Sequence, residues 1–482
     1  MVVVNWLLII LVLLLQILSA FHAMLYKRDP RAAWAWIVIC LVLPPFGPIL
    51  YFLLGINRVR TKAKQLKWYW PLLHSHIEDD DDDSITECID SPTLAHFSVA
   101  PNFHHIATIS ESVTKRPLLC QNTVSVLHNG EQAYPEMLEM IENATSFIYL
   151  STYIFETNAS GMEFVHALHQ AQKRGIEVKV LVDGIGEFYN RPRVSRELAR
   201  LRVPHALFLP PKLYPVSPFL NLRNHRKMLI VDGCHGFTGG MNIGDRHLVQ
   251  NIDNASRVQD IHFKLCGPVV NQMEQIFLED WGFCTGDVDL AVSGPAQGDG
   301  DAICRTITVG PNQDLNKLSM IIVGAAAVAE ERITIMTPYF IPTRELIGAL
   351  QSAALRGIRV DIVLPGKNNL PFVHWSTRNM IWELLQYGVR FYYQPPPFNH
   401  SKIFLMDDFY AQIGSANLDP RSLRLNFELV VEVFDHMLAR NLTDHVDAII
   451  EQSHEITLQE VDSRPLHIRI RDSFFWLFSP YY

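Results

Sequence analysis

Two stretches of the chain, NHRKMLIVDGCHGFTGGMN at residues 224–242 and NHSKIFLMDDFYAQIGSAN at residues 399–417, share one pattern. In each, a histidine is followed by a lysine after two positions, an aspartate after seven and an asparagine after 17. These residues are His225, Lys227, Asp232 and Asn242 in the first stretch, and His400, Lys402, Asp407 and Asn417 in the second. Identical spacing predicts an internal repeat, with one catalytic pocket at a pseudo-two-fold seam. The alternative is a pair of surface strand–turn repeats with incidental histidines and lysines.

These residue types suit the transfer of a phosphoryl group. A neutral imidazole can attack phosphorus and carry the group covalently, which divides one displacement into two easier ones. A second imidazole can protonate the departing alkoxide and then deprotonate the incoming alcohol. Lysine ammonium and asparagine amide groups can hold the non-bridging oxygens, where charge builds up in the transition state. This chemistry needs no metal and no cofactor, and the sequence predicts neither.

At these residues the sequence resembles the phospholipase D superfamily, whose signature is this paired His-Lys-Asp motif. Within the superfamily it is most similar to the bacterial cardiolipin synthases, also at Tyr153–Glu156, at Gly414–Ser422 and in its apolar start. The resemblance implies an α/β fold of two tandem phospholipase D-like domains. It implies a phosphatidyltransferase that joins two phosphatidylglycerol molecules into cardiolipin and glycerol through a phosphatidyl-histidine. Superfamily custom makes His225 the nucleophile and His400 the acid and base, and the residues leave the reverse assignment open.

The resemblance also implies roles for the other motif residues. The histidines, lysines and motif aspartates are expected to be catalytic, and Asn242 and Asn417 to bind phosphate oxygens. For Asp232 and Asp407 a second interpretation is a carboxylate that closes the turn at the end of its strand.

Two further acids follow the motifs, Asp260 beyond His225 and Glu428 beyond His400. A carboxylate on the far nitrogen of an imidazole fixes its tautomer and raises its basicity, and an acid plays that part in the superfamily. We therefore expect these two acids to orient the two imidazoles; the alternative for each is a charge at a strand edge. Weaker candidates are Arg223 and Arg226 for a lipid phosphate or head group, and Glu156 as a residue that shapes the pocket. Arg421 and Asn426 are further candidates without an assigned role.

Composition limits the class of protein. The 482 residues are enough for two to three domains. The net charge of −9 argues against a general nucleic-acid binder, which needs a basic footprint. Seven scattered cysteines with no C-x-x-C pair predict reduced thiols and no zinc site. The pairs His104-His105 and His74-x-His76 lack other ligands at suitable spacing, so no metal is expected there either.

The start of the chain is apolar. Residues 1–26 are nearly continuous hydrocarbon, and residues 32–54 form a second apolar stretch that the prolines and glycine at 44–48 should bend. We predict two transmembrane segments within residues 1–56, with a re-entrant hairpin as the alternative. The larger basic cluster follows the second segment at 58–67, so the positive-inside rule places the catalytic body in the cytoplasm. The prediction is a multi-pass protein of the bacterial inner membrane whose partners are phosphatidylglycerol and other membrane lipids, without nucleic acid.

The remainder divides into a linker and two similar domains. Residues 57–117 are predicted to be a linker with local strands, basic first and acidic over Glu78–Asp83. Residues 118–290 and 302–482 are predicted to be the two domains. Each contains strand, helix, glycine turn and strand, which is typical of a βαβ unit with parallel pairing within a mixed sheet. The predicted elements are 147–153, 161–173, 177–183 and 228–231 in the first half, and 333–339, 343–355, 359–365 and 403–406 in the second.

Three other functions remain open from the sequence. A membrane phospholipase D would use water as acceptor, and the motifs do not separate it from a transferase. A nuclease is disfavoured by the acidic charge and the apolar start, and a non-catalytic scaffold by the completeness of both motifs. The aromatic, nearly uncharged end, Phe474–Tyr482, suits core packing or an interfacial anchor equally.

Overall fold

The computed structural model describes residues 2–27, 30–56, 88–89, 100–211, 222–287, 291–294, 296–311 and 316–479. The chain forms two compact units, residues 1–68 with 213–219 and residues 69–212 with 220–482. The basic cluster at 58–67, His74, His76 and the acidic run Glu78–Asp83 lie outside the described residues.

The N-terminal unit begins with one long apolar helix, α1 (Val2–Tyr26). Its 23-residue segment Val4–Tyr26 is long and apolar enough to cross a bilayer. The second apolar stretch is divided into α2 (Pro30–Val42), α3 (Phe46–Leu50) and a π-helical turn, Tyr51–Gly55. Among the described residues, one helix therefore meets the length of a membrane span. The predicted second span is not one continuous helix.

The side chain of Gln16 satisfies two backbone carbonyl groups that are left unpaired where the second stretch bends. Pro44 and Pro45 have no N–H, so the carbonyl oxygens four residues earlier, on Cys40 and Leu41, lose their helical donors. The side-chain amide of Gln16 on α1 donates to both oxygens, at 3.0 and 2.8 Å. This contact fixes α1 against α2, because an unpaired carbonyl in apolar surroundings is costly.

The second unit contains the remaining described elements. The strands are β1 (Cys88–Ile89), β2 (Leu118–His128), β3 (Phe147–Thr152), β4 (Glu177–Asp183), β5 (His205–Phe208), β6 (Met228–Val231), β7 (His235–Gly239), β8 (Val258–Gln259), β9 (Ile261–Cys266), β10 (Ala302–Val309), β11 (Arg332–Met336), β12 (Arg359–Pro365), β13 (Arg390–Gln394), β14 (Phe398–Asn399), β15 (Ile403–Met406), β16 (Tyr410–Gly414), β17 (Glu428–Phe434) and β18 (His454–Ile456). The helices are α4 (Pro101–Thr114), α5 (Asn129–Asn143), α6 (Ala159–Lys173), α7 (Val194–Arg200), α8 (Val269–Thr285), α9 (Lys317–Val328), α10 (Arg344–Leu355), α11 (Pro371–Leu385), α12 (Pro420–Arg424), α13 (His436–Glu451), α14 (Leu458–Asp462) and α15 (Leu466–Trp476), with 3₁₀ turns at Gly186–Tyr189 and Asp245–His247.

One mixed sheet runs through both halves of this unit. Its strand order is β18-β13-β12-β11-β15-β16-β17-β10-β2-β9-β7-β6-β3-β4-β5, with β1 beside β2. The order from β10 to β13 repeats the order from β2 to β5 in the opposite direction, as a pseudo-two-fold axis between β2 and β10 requires. The βαβ strands pair in parallel, and their neighbours pair antiparallel. The predicted α/β fold with two similar halves is confirmed.

The two halves are parts of one compact unit. β2 pairs antiparallel with β10, so the sheet is continuous across the seam. Arg305 in β10 is fully buried, and its Nε donates to the Glu432 carboxylate of β17 at 2.5 Å. One apolar cluster includes residues of both halves. The stretch before Ala302, predicted to separate two domains, therefore joins two halves that share a core.

Most predicted strand boundaries are confirmed. Glu177–Asp183, Arg359–Pro365, Met228–Val231 and Ile403–Met406 begin and end as predicted. These runs are β-branched and apolar and are bounded by glycine, proline or charged residues, which makes their limits clear.

The prediction of a linker over 57–117 is wrong at its end, where α4 is a helix of 14 residues. Phe103, Ile106 and Ala107 of α4 are buried against the core of the second half. Their i, i+3, i+4 spacing and Pro101 at the first turn are ordinary helix signals. The two strand residues at 88–89 pair with β2.

Candidate active site

Both motif histidines lie where the two halves meet. The backbone N–H of His225 donates to the carbonyl oxygen of Phe427 at 2.9 Å, and that of His400 donates to Gln259 at 2.8 Å. Each carbonyl belongs to the residue just before one of the two orienting acids. The main chain of each half therefore holds the histidine of the other.

The acids are paired with the histidines across the seam. His225 Nδ1 lies 2.9 Å from Glu428 Oε2, and His400 Nδ1 lies 3.0 Å from Asp260 Oδ2. The strand-end pairing thus brings to each ring the acid of the opposite copy. Since a carboxylate accepts, Nδ1 carries the hydrogen, and Nε2 keeps the lone pair for chemistry.

Each acid is held in place by its own half. The Ser415 hydroxyl donates to Glu428 Oε2 at 2.6 Å, and Asn426 Nδ2 donates to Oε1 at 3.1 Å. The position of Ser415 is occupied in the first copy by Gly240, where an added Cβ would overlap the Asp260 carboxylate. The first copy thus combines a glycine with the shorter aspartate, and the second combines a serine with the longer glutamate. Both combinations place a carboxylate against a histidine ring.

The motif lysines point back along their own segments. Lys227 Nζ donates to the carbonyl oxygen of His225 at 2.7 Å, and Lys402 Nζ makes the equivalent bond to His400. Burial lowers the pKa of Lys227 to about 8 and that of Lys402 to about 7, although nearby carboxylates oppose the shift. Two buried lysines whose pKa lies close to neutral pH are suited to bind an anion.

The imidazoles are neutral at neutral pH. Burial lowers the pKa of both His225 and His400 to about 4, against the opposing attraction of their acids. Lys402 also lowers the pKa of His225, and Lys227 that of His400, so the four groups form one electrostatic cluster. Both imidazoles therefore keep a nucleophilic lone pair, and both face the same two cations.

The acids stay ionised despite their burial. Burial alone would raise the pKa of Glu428, but His225, Lys227 and the Ser415 hydroxyl hold it below its usual value. Asp260 behaves in the same way, through the hydrogen bond from His400 and attraction to Lys402.

The two motif asparagines are buried near the histidines, with different partners. Asn242 Oδ1 accepts from the backbone N–H of Ile154 at 3.1 Å, which turns its NH₂ group away from that strand end. Asn417 Nδ2 donates to the Ser422 hydroxyl at 3.2 Å, and its Oδ1 has no hydrogen-bond partner within the described part of the chain.

Asp232 and Asp407 do not belong to the pocket. Each follows a four-residue strand whose other end leads back to the histidine. Asp232 accepts from the backbone N–H groups of residues 145–147, and Asp407 from those of residues 330–332. Both have positive φ, 54°, which aspartate tolerates better than most residues. These contacts fit the turn-closing interpretation of both aspartates, and a catalytic role for them stays a prediction.

The two arginines that precede Lys227 already have carboxylate partners. Arg223 pairs with Asp183 at 3.2 Å and Arg226 with Asp280 at 2.7 Å, all four being buried. They brace the first histidine segment, and the expected contact with a lipid phosphate does not fit this geometry. Glu156 likewise pairs with Arg246 and supports the loop after β7.

Arg421 differs from these arginines because its side chain has no ion pair among the described residues. It is half-buried and acts on the pKa of Tyr153, whose ring centroid lies 5.0 Å from that of His225. Tyr339 occupies the equivalent position in the second half, 6.4 Å from His400. Neither tyrosine was predicted as a site residue from the sequence, although each is the last residue of a predicted βαβ strand, and both follow the observed strands β3 and β11.

No group of three or more His, Cys, Asp or Glu side chains within the described residues has the arrangement of a metal site. His104 and His105 lie on α4.

Comparison with known proteins finds similar sequences over nearly the whole chain. The family model described as "Cardiolipin synthase, PLD-like domain" matches residues 137–281 and 322–450, and one described as "Phospholipase_D-nuclease N-terminal" matches residues 8–55. The chain is 32% identical to the major cardiolipin synthase ClsA of Bacillus subtilis, over 98% of this chain and 97% of that protein. It is also 32% identical to cardiolipin synthase 1 of Staphylococcus epidermidis, over 96% of both.

Among solved structures, the phosphatidylserine synthase of Haemophilus influenzae is similar with a TM-score of 0.60 and 16% identity. The similarity covers 78% of this chain and 99% of that one. At this identity the likeness concerns the fold.

Proposed function

The chain belongs to the family of cardiolipin synthases with phospholipase D-like domains, and from this premise we propose that it transfers a phosphatidyl group between two phosphatidylglycerol molecules. The products are cardiolipin and glycerol. The observation that supports this most directly is geometric: each imidazole is held through Nδ1 by an acid of the other half, with Nε2 left for chemistry, and each is accompanied by a buried lysine. That is the equipment for a two-step displacement at one phosphorus.

In the first step, His225 Nε2 attacks the phosphorus of the donor lipid. The P–N bond forms as the P–O bond to the head-group glycerol breaks, and His400, protonated on Nε2, gives its proton to the departing oxygen. The donor's phosphate charge and Asp260 both favour the imidazolium form of His400 at this stage. Lys227, Lys402, Asn242 and Asn417 stabilise the charge on the non-bridging oxygens.

In the second step, the terminal hydroxyl of a second phosphatidylglycerol attacks the same phosphorus. His400 takes the hydroxyl proton, the P–N bond breaks, and His225 recovers its lone pair. The proton that His400 gave in the first step is thereby restored.

Arg421 is the candidate for the acceptor's own phosphate. It lies beside Tyr153 at the edge of the cluster without a carboxylate partner among the described residues, so an anion would meet an uncompensated cation there. Arg421→Gln should raise the KM for phosphatidylglycerol by about tenfold with little change in kcat, as expected for loss of one charge-assisted contact. An unchanged KM would remove this role.

Transfer rather than hydrolysis fits a buried site supplied from a membrane. The two histidine side chains are each 12% exposed, so water has limited access. Lipid acceptors in the plane of a bilayer reach a high effective concentration. We propose that the apolar segments within residues 1–56 form two membrane passes, the second as a broken helix, in a bacterial inner membrane. In this proposal the catalytic unit is cytoplasmic.

The test is product analysis with purified protein and labelled phosphatidylglycerol in vesicles. Cardiolipin and free glycerol in equal amounts are the expected products, and phosphatidic acid as the main product would instead identify a hydrolase. His225→Ala should leave no covalent lipid on the protein, whereas a phosphatidyl adduct on that variant would reverse the roles of the two histidines.

A further inference from the structure

Helix α15 (Leu466–Trp476) packs on the body with one face only. Asp472 on that face is fully buried and forms an ion pair with Arg378 of α11. The Phe475 ring packs at a tilt against the ring of Trp375, also on α11, with a centroid distance of 4.8 Å. These contacts fix the rotation of the helix about its axis.

The opposite face is apolar and uncovered. Its members, which we call the apolar stripe, are Leu466, Ile470, Phe474, Leu477 and Phe478, between 46% and 70% exposed. At about 100° per residue the five fall within an arc of about 120°, which the docked residues do not enter. Single exposed apolar residues are ordinary, but a contiguous set on one helix face marks an interaction surface. His467 lies within this arc, and the exposed Arg469 lies about 60° outside its edge.

The stripe approaches the end of the sheet where the pocket opens. Ser473 donates to Asn379 at 2.9 Å, and two residues later Phe475 meets Trp375, so α15 runs antiparallel to α11 toward its start. The start of α11 follows Asn369, which accepts a hydrogen bond at 2.7 Å from the hydroxyl of Tyr339, the tyrosine beside His400. The aromatic end of the stripe thus lies on the pocket side of the second half.

The first half exposes aromatic residues near its own histidine. After β4, the 3₁₀ turn exposes Phe188 and Tyr189, 49% and 58%. The Tyr189 ring lies 6.2 Å from Tyr153, which in turn contacts His225. Arg193 stacks on Phe188 at 4.0 Å. Exposed aromatic and basic side chains therefore flank the pocket in both halves.

We propose that the apolar stripe of α15 lies on an anionic lipid bilayer and seats the pocket at head-group depth. A lipid surface explains three observations together: the apolar arc, the basic residues beside it, and the position of both aromatic surfaces around the site that takes a lipid. A second copy of the chain would explain the arc alone. The identity of the lipid rests on the proposed function, whereas the contact with a bilayer does not.

The test places a photoreactive benzoylphenylalanine at position 474 of the full-length protein, in vesicles of radiolabelled phosphatidylglycerol. The matched control is position 437, since Met437 is 81% exposed on α13, whose His436 lies against Asp408 at the far end of the sheet. Illumination should attach about tenfold more lipid at 474 than at 437, because an interfacial side chain lies among acyl chains. Equal labelling at both positions, or a crosslink between two chains at 474, would overturn the proposal.

A second measurement separates this proposal from the proposed activity. Ile470→Glu combined with Phe474→Glu should lower turnover of vesicle phosphatidylglycerol by about tenfold while turnover of a short-chain, monomeric phosphatidylglycerol stays within about twofold, since only the first requires the bilayer. Met437→Glu should change neither. If the two substrates lose activity equally, the helix does not act through the membrane. If the wild-type protein forms no cardiolipin but position 474 is still labelled by lipid, the proposed activity is refuted and the proposed contact of α15 with the bilayer is supported.

Discussion

Replacing Glu428 by glutamine tests the crossed pairing of acids and histidines. Glu428 is fully buried, with Oε2 2.9 Å from His225 Nδ1. Glutamine keeps the volume and one oxygen for the donors on Ser415 or Asn426, but it removes the charge. Its NH₂ group, facing Nδ1, favours the tautomer with the hydrogen on Nε2. That nitrogen then has no lone pair for phosphorus.

The expected loss follows from the burial of the pair. As His225 bonds to phosphorus its ring becomes positively charged, and a buried cation without its carboxylate partner costs about 3–5 kcal/mol. At about 1.4 kcal/mol per factor of ten, kcat should fall by about 10²- to 10⁴-fold. KM should change little, because Glu428 contacts His225 and not the lipid. The pKa of His225 should fall further, since Glu428 opposes the effect of burial, so the acid limb of kcat/KM should move to lower pH.

The assay is single-turnover formation of the phosphatidyl-enzyme from labelled phosphatidylglycerol, with steady-state kcat and KM alongside. The control is Glu432→Gln, four residues along the same strand, where a fully buried carboxylate pairs with Arg305 and Tyr410 instead of a histidine. That variant should lose thermal stability and keep kcat per folded molecule. Adduct formation at the wild-type rate in Glu428→Gln would refute the pairing.

Three further outcomes are expected. kcat/KM should fall as pH drops through about 4, where His225 gains a proton and loses its lone pair, and fall again as pH rises through about 7 to 8, where Lys402 and Lys227 lose theirs; a flat profile up to pH 9 would contradict the role of the lysines. Gly240→Ala should reduce kcat by about 10²-fold or more, since the methyl group displaces Asp260 from its histidine at a cost similar to loss of a buried contact; wild-type kcat would show that the loop yields. Asp232→Asn should lower the free energy of unfolding by about 1–3 kcal/mol and leave kcat unchanged, because it weakens a turn remote from the chemistry; thermal melting in detergent with a parallel activity assay checks both.

The sequence predicted those features that depend on local pattern. The βαβ strands follow from short β-branched apolar runs, and the shared pocket from identical spacing in two copies. Asp232 shows the limit of a motif, because spacing along the chain does not distinguish a residue that faces the substrate from one that closes a turn. The four-residue strand between His225 and Asp232 is the sequence feature that indicates that the two residues lie at opposite ends of that strand.

The crossed pairing was beyond the sequence for a different reason. Asp260 and Glu428 stand at comparable distances after their own histidines, and no local signal tells which half supplies each acid. The answer depends on strand ends meeting across the seam, at Phe427 and at Gln259. Helix α4, in contrast, was detectable from its apolar spacing. The burial of Arg223 depends equally on a tertiary partner, Asp183, 40 residues earlier.

The antiparallel junction of β2 with β10 has a consequence for fragments of this protein. A chain cut in the stretch before Ala302 would leave each piece with a bare strand edge, whose unpaired N–H and C=O groups are a template for another chain. Each piece would also carry an imidazole without its acid and an acid without its imidazole. Recombining the two pieces should therefore restore turnover that neither has alone, and a solitary piece should self-associate along the edge left open.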